Sequence, residues 1–155
     1  MILGVVTEYV IRRARREDVG AIVRMLADDQ LGATRDDPDD LDPYLRAFDE
    51  IAKDSNQLLV VVASDDEPVG TLQLTIIPGL ARRGALRGQI EAVRVHSDHR
   101  GSGLGAELVQ WAIAESRRRG CALVQLTSDT SRTDAHRFYE RLGFTPSHTG
   151  FKLKL

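Results

Sequence analysis

"VRVHSDHRGSGLGAELVQWA", residues 93 to 112, joins a β-branched run to an amphipathic stretch through a turn that holds three glycines in five positions. Beyond the turn, Leu104, Leu108, Trp111 and Ala112 recur at helical spacing, so the glycines stand where a helix begins. A helix start leaves several main-chain N–H groups without intrahelical partners, and its dipole adds about half a positive charge. With no side chains at Gly101, Gly103 and Gly105, a diphosphate can approach those donors directly, and Arg100 adds a charged donor beside them. Two rivals use the same letters. "GSGLGA", Gly101 to Ala106, satisfies the relaxed dinucleotide fingerprint, with Asp129 near the expected distance downstream. Its context disagrees: "HSDHR" separates Val95 from Gly101, and only about a third of the chain remains, whereas the fingerprint follows its strand directly and opens its domain. A P-loop is excluded because no Gly-Lys-Ser/Thr follows. A plain flexible loop is the bland alternative.

Working outward, 155 residues at 42% hydrophobic and 28% charged suit one domain over residues 1–155 with a core of its own. The net charge of -2 supplies no basic field, so nucleic acid is not an expected partner. Cys121 is the only cysteine, which fits a reducing compartment. The apolar run Ile2 to Val6 is too short for a secretory signal, and no stretch approaches the ~20 apolar residues of a membrane span, so a cytoplasmic chain without membrane contact is expected.

Tyr9 to Arg13 reads as a strand and "REDVGAIVRMLADD" (16–29) as a helix, with Val19, Ile22, Val23 and Leu26 on one face. After the acidic stretch Asp28 to Asp42, Asp42 as N-cap and Pro43 open a second helix to about Lys53. "LLVVVAS" (58–64) and "VGTLQLTII" (69–77) flank Asp65, Asp66, Glu67 and Pro68 as a hairpin. A loop with Arg82, Arg83 and Arg87 leads to the strand "QIEAVRV" (89–95). A helix from about Gly103 to Arg119, the strand "ALVQLT" (122–127), the helix in "TDAHRFYERLGF" (133–144) and a closing edge strand "FKLKL" (151–155) complete the order β-α-α-β-β-β-α-β-α-β. Three adjacent strands exclude a purely parallel alternation. The expected class is α/β (α+β), a mixed, mostly antiparallel sheet of about six to seven strands with about four helices on both faces.

"Arg100-Gly-Ser-Gly103-Leu-Gly105" resembles the [QR]-x-x-G-x-[GA] signature of the GCN5-related N-acetyltransferases, and "FYERLGF", Phe138 to Phe144, resembles that family's second recurrent segment. The order of elements agrees along essentially the whole chain. The resemblance implies acetyl-CoA as co-substrate, its pyrophosphate on Arg100, Gly101, Ser102, Gly103, Leu104, Gly105 and Ala106, and its pantetheine arm along the main chain of Val93, Arg94 and Val95. It also implies that Tyr139 is the acid that protonates the leaving thiolate; by spacing alone, Ala135, Phe138, Tyr139 and Leu142 form a core stripe. Where many members carry an asparagine against the pantetheine arm, this chain has Arg132, which either reaches a phosphate or lies exposed.

For the base we select Glu91, because a carboxylate inside a β-rich strand is costly without a task; the alternative is that it faces solvent or pairs with Arg94 or a loop arginine. A strand N–H, that of Val93, would polarise the carbonyl. His96, Asp98 and His99 lack further ligands nearby, so solvent exposure and no metal are expected. Cys121 reads as a small apolar filler, so transfer should be direct. The acidic stretch favours a cationic amine if it walls the acceptor site, and is otherwise a solvated loop; Arg82, Arg83 and Arg87 could instead bind an anionic group on the acceptor. Asp134 to His148 is similar to aminoalkylphosphonate N-acetyltransferases and "IEAVRV" to glucosamine-phosphate relatives, which implies a small-molecule amine acceptor. The alternatives are acetylation of a protein or peptide amine, a non-catalytic acyl-CoA-binding or sensor module, and a nucleotide-dependent oxidoreductase. A homodimer is compatible with the sequence.

Overall fold

The chain from Gln57 to Ile77 explains most of the core. In a computed structural model, which describes residues 2–6 and 8–155 with side chains from residue 8 onward, it forms strands β3 (Gln57–Ser64) and β4 (Glu67–Ile77). Asp65 and Asp66 both take positive φ, 49° and 66°, as a two-residue reversal matched to strand twist requires. The turn is therefore shorter than the four residues expected, and Pro68 already pairs across from Ala63 at a register shift.

Before β3 come β1 (Ile2–Val6) and β2 (Tyr9–Arg13), so the opening apolar run is a strand. After β4 come β5 (Leu86–Val95) and β6 (Cys121–Gln125). The six-stranded sheet has the order β1-β2-β3-β4-β5-β6, antiparallel except for the parallel β5–β6 pair. Helices α1 (Val19–Ala27), α2 (Asp42–Lys53), α4 (Leu104–Arg118) and α5 (Thr133–Arg141) supply the outer layers. A single turn, α3 (Ala81–Gly84), has Arg82 and Arg83 in left-handed conformation.

Alternation in β3 and β4 sorts the core onto two faces. Leu58, Val60, Val62, Leu72, Leu74 and Ile76 meet Leu104, Leu108, Val109 and Ala112 of α4 on one face. Val61 meets Ile22 and Met25 of α1 on the other. At the foot of α1, Arg12 grips Asp18 through Nη1 at 2.6 Å and Nη2 at 3.0 Å; both side chains are buried, and Asp18 also accepts the Arg15 N–H at 2.7 Å. Burial alone would raise the Asp18 carboxyl, but these donors outweigh it and hold it below the usual range.

Four expectations are corrected. Helix α2 is preceded by Leu41, with Asp42 and Pro43 already its first residues, because Asp42 is held from outside by the Asp40 carboxylate. Strand β5 starts at Leu86, so Arg87 is a strand residue opposite Ile77 and not part of a basic loop. Strand β6 ends at Gln125, two residues early, where β5 ceases to pair with it. Among the described residues, 151–155 pair with no strand: the tail lies outside the sheet with Phe151, Leu153 and Leu155 exposed, because the loop 145–150 carries it past the end of β6.

Candidate active site

Strand β5 changes direction at Ala92. Glu91 opposes Gln73 and Arg94 opposes Thr71, so two residues of β5, Ala92 and Val93, face the single residue Leu72. Ala92 takes φ 54°, a left-handed value unfavourable for an L side chain. The strict alternation read into "QIEAVRV" is broken here. Glu91 and Arg94, three apart, share the α1 face, while Val93 and Val95 turn to the core with α4. Pairing with β6 ends at Gln89, so among the described residues no strand lies beside 91–95 on that side. Two carbonyls of this length are held by arginines: Arg94 Nη1 donates to Val93 O at 2.9 Å and Arg100 Nε to Val95 O at 3.2 Å.

The chain then enters the glycine turn. Gly101 and Gly103 have φ 78° and 86°, and a Cβ at either would meet nothing within 4 Å, so these two serve the backbone conformation. Gly105 differs: inside the first turn of α4, its Cβ would lie 3.5 Å from the Phe138 ring. The Ser102 hydroxyl ties the turn to His99 O. The first helical bond runs from Glu107 N to Gly103 O at 3.1 Å, which leaves the N–H groups of Leu104, Gly105 and Ala106 without intrahelical acceptors. They open into a cavity of about 260 Å³ lined by Val95, His99, Arg100, the glycines, Ala106 and Phe138. A larger cavity of about 560 Å³, on the α1 side of His99, holds neither Glu91 nor Tyr139.

Helix α5 packs Phe138 and Tyr139 against the margin of the larger core cluster, as Val93, Val95 and Val124 do from β5 and β6. Tyr139 packs edge-on against Phe138 and Phe144, at centroid separations of 5.1 and 5.8 Å. Burial raises its phenol, opposed by the positive charges of Arg132 and Arg94. Arg94 lies on the same side, 3.6 Å from Asp29, and is lowered first by burial and then by the like charge of Arg132. Turn, widened strand and tyrosine thus meet at one end of β5.

The Acetyltransferase (GNAT) family model matches residues 20–144, a span that includes every one of these features. The chain belongs to the GNAT family. It is 41% identical over 64 residues to the aminoalkylphosphonate N-acetyltransferase of Salmonella typhimurium (41% of this chain, 42% of that enzyme). It is 38% identical over 87 residues to the glucosamine 6-phosphate N-acetyltransferase of Trypanosoma brucei brucei (56% of this chain, 57% of that one). These matches span about half the length of either relative. A transcriptional regulator from Bacillus halodurans C-125 superposes with a TM-score of 0.91 at 48% identity, covering 95% of this chain and 99% of its own.

Within this GNAT chain the residues singled out by sequence are partly drawn together. Val95, Arg100, Gly101, Gly103, Leu104, Gly105 and Ala106 line the smaller cavity. Arg94, Arg132 and Tyr139 lie close enough to feel one another's charge, Val93 packs against the same core cluster as Tyr139, and Glu91 is exposed. Arg100 is bent away from the helix start, its Nη2 3.2 Å from Asp28. His99 is not simply exposed; its Nδ1 lies 3.2 Å from the Tyr9 hydroxyl. Burial pushes the Cys121 thiol up, as an inert filler requires. Arg82 and Arg83 stand at the opposite end of β5, a strand length of roughly 30 Å from the glycine turn, and so lie away from this site.

Sequence reasoning missed Asp29 and Ala92. Asp29 accepts the Gly32 N–H, and the Gly32 donor, after the opposing effect of burial, joins Arg94 in lowering its carboxyl. Nothing in the aspartate-rich stretch Asp28–Asp42 marks one of its carboxylates as the partner of an arginine on a distant strand. No helix among the described residues is long and apolar enough to cross a membrane.

Proposed function

We propose that this GNAT chain transfers an acetyl group from acetyl-CoA directly to the primary amine of a small acceptor that carries an anionic group. The observation that carries the reading is the convergence at the far end of β5 of the glycine turn and its cavity, the strand bulged at Ala92, and Tyr139 within the field of Arg132 and Arg94. The pyrophosphate takes the free N–H groups of Leu104, Gly105 and Ala106 and the turn of Gly101, Ser102 and Gly103, with Arg100 swinging from Asp28. The pantetheine arm lies along Val93, Arg94 and Val95, as an added strand would.

The amine nitrogen attacks the thioester carbon, the C–N bond forms, the carbonyl oxygen leans on the Val93 N–H, and the C–S bond breaks. Tyr139 gives its proton to the departing thiolate; burial keeps that phenol protonated, and Arg132 and Arg94 steady the phenolate left behind. Glu91, on the same strand face as Arg94, takes the proton of the amine. Arg132 faces the acceptor's anionic group, while the exposed carboxylates between Asp36 and Asp42 draw its ammonium. The names of the two enzyme relatives, an aminoalkylphosphonate and a glucosamine 6-phosphate acetyltransferase, support this substrate class. The exposed apolar tail supports a homodimer as the working unit.

A thiol-release screen over aminophosphonates, amino-sugar phosphates, polyamines and peptides tests the reading. Turnover should concentrate on amines with a phosphate or phosphonate. Tyr139→Phe should lower kcat roughly 10²–10⁴-fold while acetyl-CoA still binds, and Glu91→Gln should lower kcat/KM by a factor in the same range. Equal rates in both variants would sink these roles, and turnover on peptides alone would sink the acceptor class. The Bacillus halodurans regulator favours a second reading, an acyl-CoA-binding module, which predicts coenzyme binding with no thiol release for any amine.

A further inference from the structure

The larger of the two cavities, about 560 Å³, is lined by none of the groups that carry acetyl transfer, yet it falls within the roughly 300–1,000 Å³ of small-molecule sites. One wall is a face of α1 and its C-cap: Ala21, Arg24, Met25 and Asp28 recur three and four apart, as neighbours on one side of a helix do. Another is the start of β4, Glu67 to Val69, which the bond from His96 N to Val69 O at 2.8 Å ties to the loop after β5. Met25 and Val69 are buried and supply apolar lining, whereas Arg24 and Glu67 are exposed. His99 borders both cavities, and its Nδ1 is held 3.2 Å from the Tyr9 hydroxyl.

The charged groups of this cavity do not satisfy one another. Arg24 and Asp28 stand four apart on the helix, but Asp28 takes Arg100 Nη2 at 3.2 Å instead. Among the described residues, neither Arg24 nor Glu67 has an ion-pair partner. A simple cation would leave Arg24 unanswered, a phosphate dianion would face two carboxylates, and a neutral apolar ligand would desolvate all three charges. A zwitterion with one ammonium, one carboxylate and an apolar body meets each group with its complement. The geometry points to that class: we infer that this cavity is a second ligand site and binds an apolar α-amino acid. Its ammonium goes to Asp28 and Glu67, its carboxylate to Arg24, and its side chain to Met25, Pro68 and Val69.

Asp28 connects this site to the glycine turn. Its carboxylate and its main-chain carbonyl hold Arg100 Nη2 at 3.2 and 3.4 Å. An ammonium on the Asp28 carboxylate competes with Arg100 and frees the guanidinium for a diphosphate at the start of α4, so the amino acid tightens acetyl-CoA. By reciprocity acetyl-CoA tightens the amino acid by the same factor. The pair is exposed, so the factor is roughly two- to fivefold. The coupling rests on acetyl-CoA binding at the glycine turn, as proposed above, whereas occupation of the cavity does not.

Calorimetric titration of the intact chain with L-leucine and L-phenylalanine, in the absence of acetyl-CoA, should show one site with a dissociation constant on the order of 1 mM or below. N-acetyl-L-leucine, which lacks the ammonium, and L-leucinamide, which lacks the carboxylate, should each bind about tenfold more weakly or worse. Arg24→Ala and Glu67→Gln should each raise the constant for L-leucine about tenfold or more. Both side chains are exposed, so far-UV circular dichroism, and acetyl-CoA affinity measured without amino acid, should be unchanged in these variants. The methyl resonance of Met25 should shift when L-leucine is added. Saturating L-leucine should tighten acetyl-CoA roughly two- to fivefold, and Asp28→Asn should remove that gain. The site is overturned if neither amino acid binds, or if both truncated analogues bind as well as L-leucine. It is equally overturned if L-leucine binding ignores both Arg24→Ala and Glu67→Gln, as it would for an acceptor held at Glu91 and Tyr139. Unchanged acetyl-CoA affinity at saturating L-leucine would overturn the coupling. Failure of acetyl-CoA itself to bind would sink the acetyltransferase reading and leave the amino-acid titration to decide the site.

Discussion

The two halves of the sheet are finished to different degrees. In β3 and β4, Val60, Val61, Val62, Leu72 and Leu74 lose all contact with water between α1 on one face and α4 on the other. In β6 and α5 no side chain is fully buried, and Phe138, Tyr139, Leu142 and Phe144 are only packed against the margin of the core. The first half is a scaffold that needs nothing from outside. The second half leaves β5 unpaired with β6 beyond Gln89, a helix start with three N–H groups lacking intrahelical acceptors and, among the described residues, an outer edge of β6 with no strand beside it. Stability should therefore reside in the first half and ligand response in the second.

Truncating a side chain in each half exposes this difference most sharply. Leu72→Ala removes a fully buried side chain from the centre of the larger cluster and should cost about 4 kcal/mol in urea unfolding. Leu153→Ala in the exposed tail should change unfolding by less than about 0.5 kcal/mol. Similar losses in both would mean that the tail belongs to the folded core.

A smaller effect is expected from the ion pair that closes the first half. Asp18→Asn leaves the Arg12 guanidinium buried with a weaker acceptor and should cost about 3 kcal/mol. The loss should appear in unfolding while acetyl-CoA affinity stays within about twofold, since Asp18 stands at the start of α1, remote from the glycine turn. A comparable loss of affinity would show that the scaffold and the ligand end are coupled.

This division also explains what could be read from the residues. The stripe Val19, Ile22 and Val23, the runs of β3 and β4 and the glycine turn are local patterns, and each appears where periodicity or turn chemistry puts it. The bulge is not local. Alanine carries no preference for φ 54°, so Ala92 gives no warning that Glu91 and Arg94 will share a face. Gly88 reads as a weakness in a strand, yet a methyl there would run into Ser116 of α4, a contact set by how the helix lies on the sheet. Arg12 occupies what alternation marks as an outward position, and only the later return of Asp18 and Asp66 encloses it. The tail is the reverse case: its strand pattern is plain, yet among the described residues it pairs with no strand.

The smallest effect concerns the seam that ties α4 to the scaffold. Glu115 accepts from Arg118 Nη2 at 2.7 Å and Arg119 Nε at 2.8 Å, and Arg119 reaches across to Ser55 O at 2.9 Å, just ahead of β3. The Arg118 hydrogen bond, against some burial and with help from Arg119, lowers the Glu115 carboxyl to about 2. Because its folded value lies below its unfolded value near 4.5, the stabilisation is fully present above pH 4.5 and is lost as pH falls toward 2. Arg118 is largely solvated, so the whole contribution should be on the order of 1 kcal/mol. Glu115→Gln cannot titrate, and its stability should run closer to flat across that window than that of the unaltered chain. Asp18 is also held low and titrates in acid, so the comparison belongs in the Asp18→Asn background, where the remaining slope between pH 4.5 and 2 should diminish on adding Glu115→Gln. An undiminished slope would mean that the helix is joined to the scaffold by its apolar face alone.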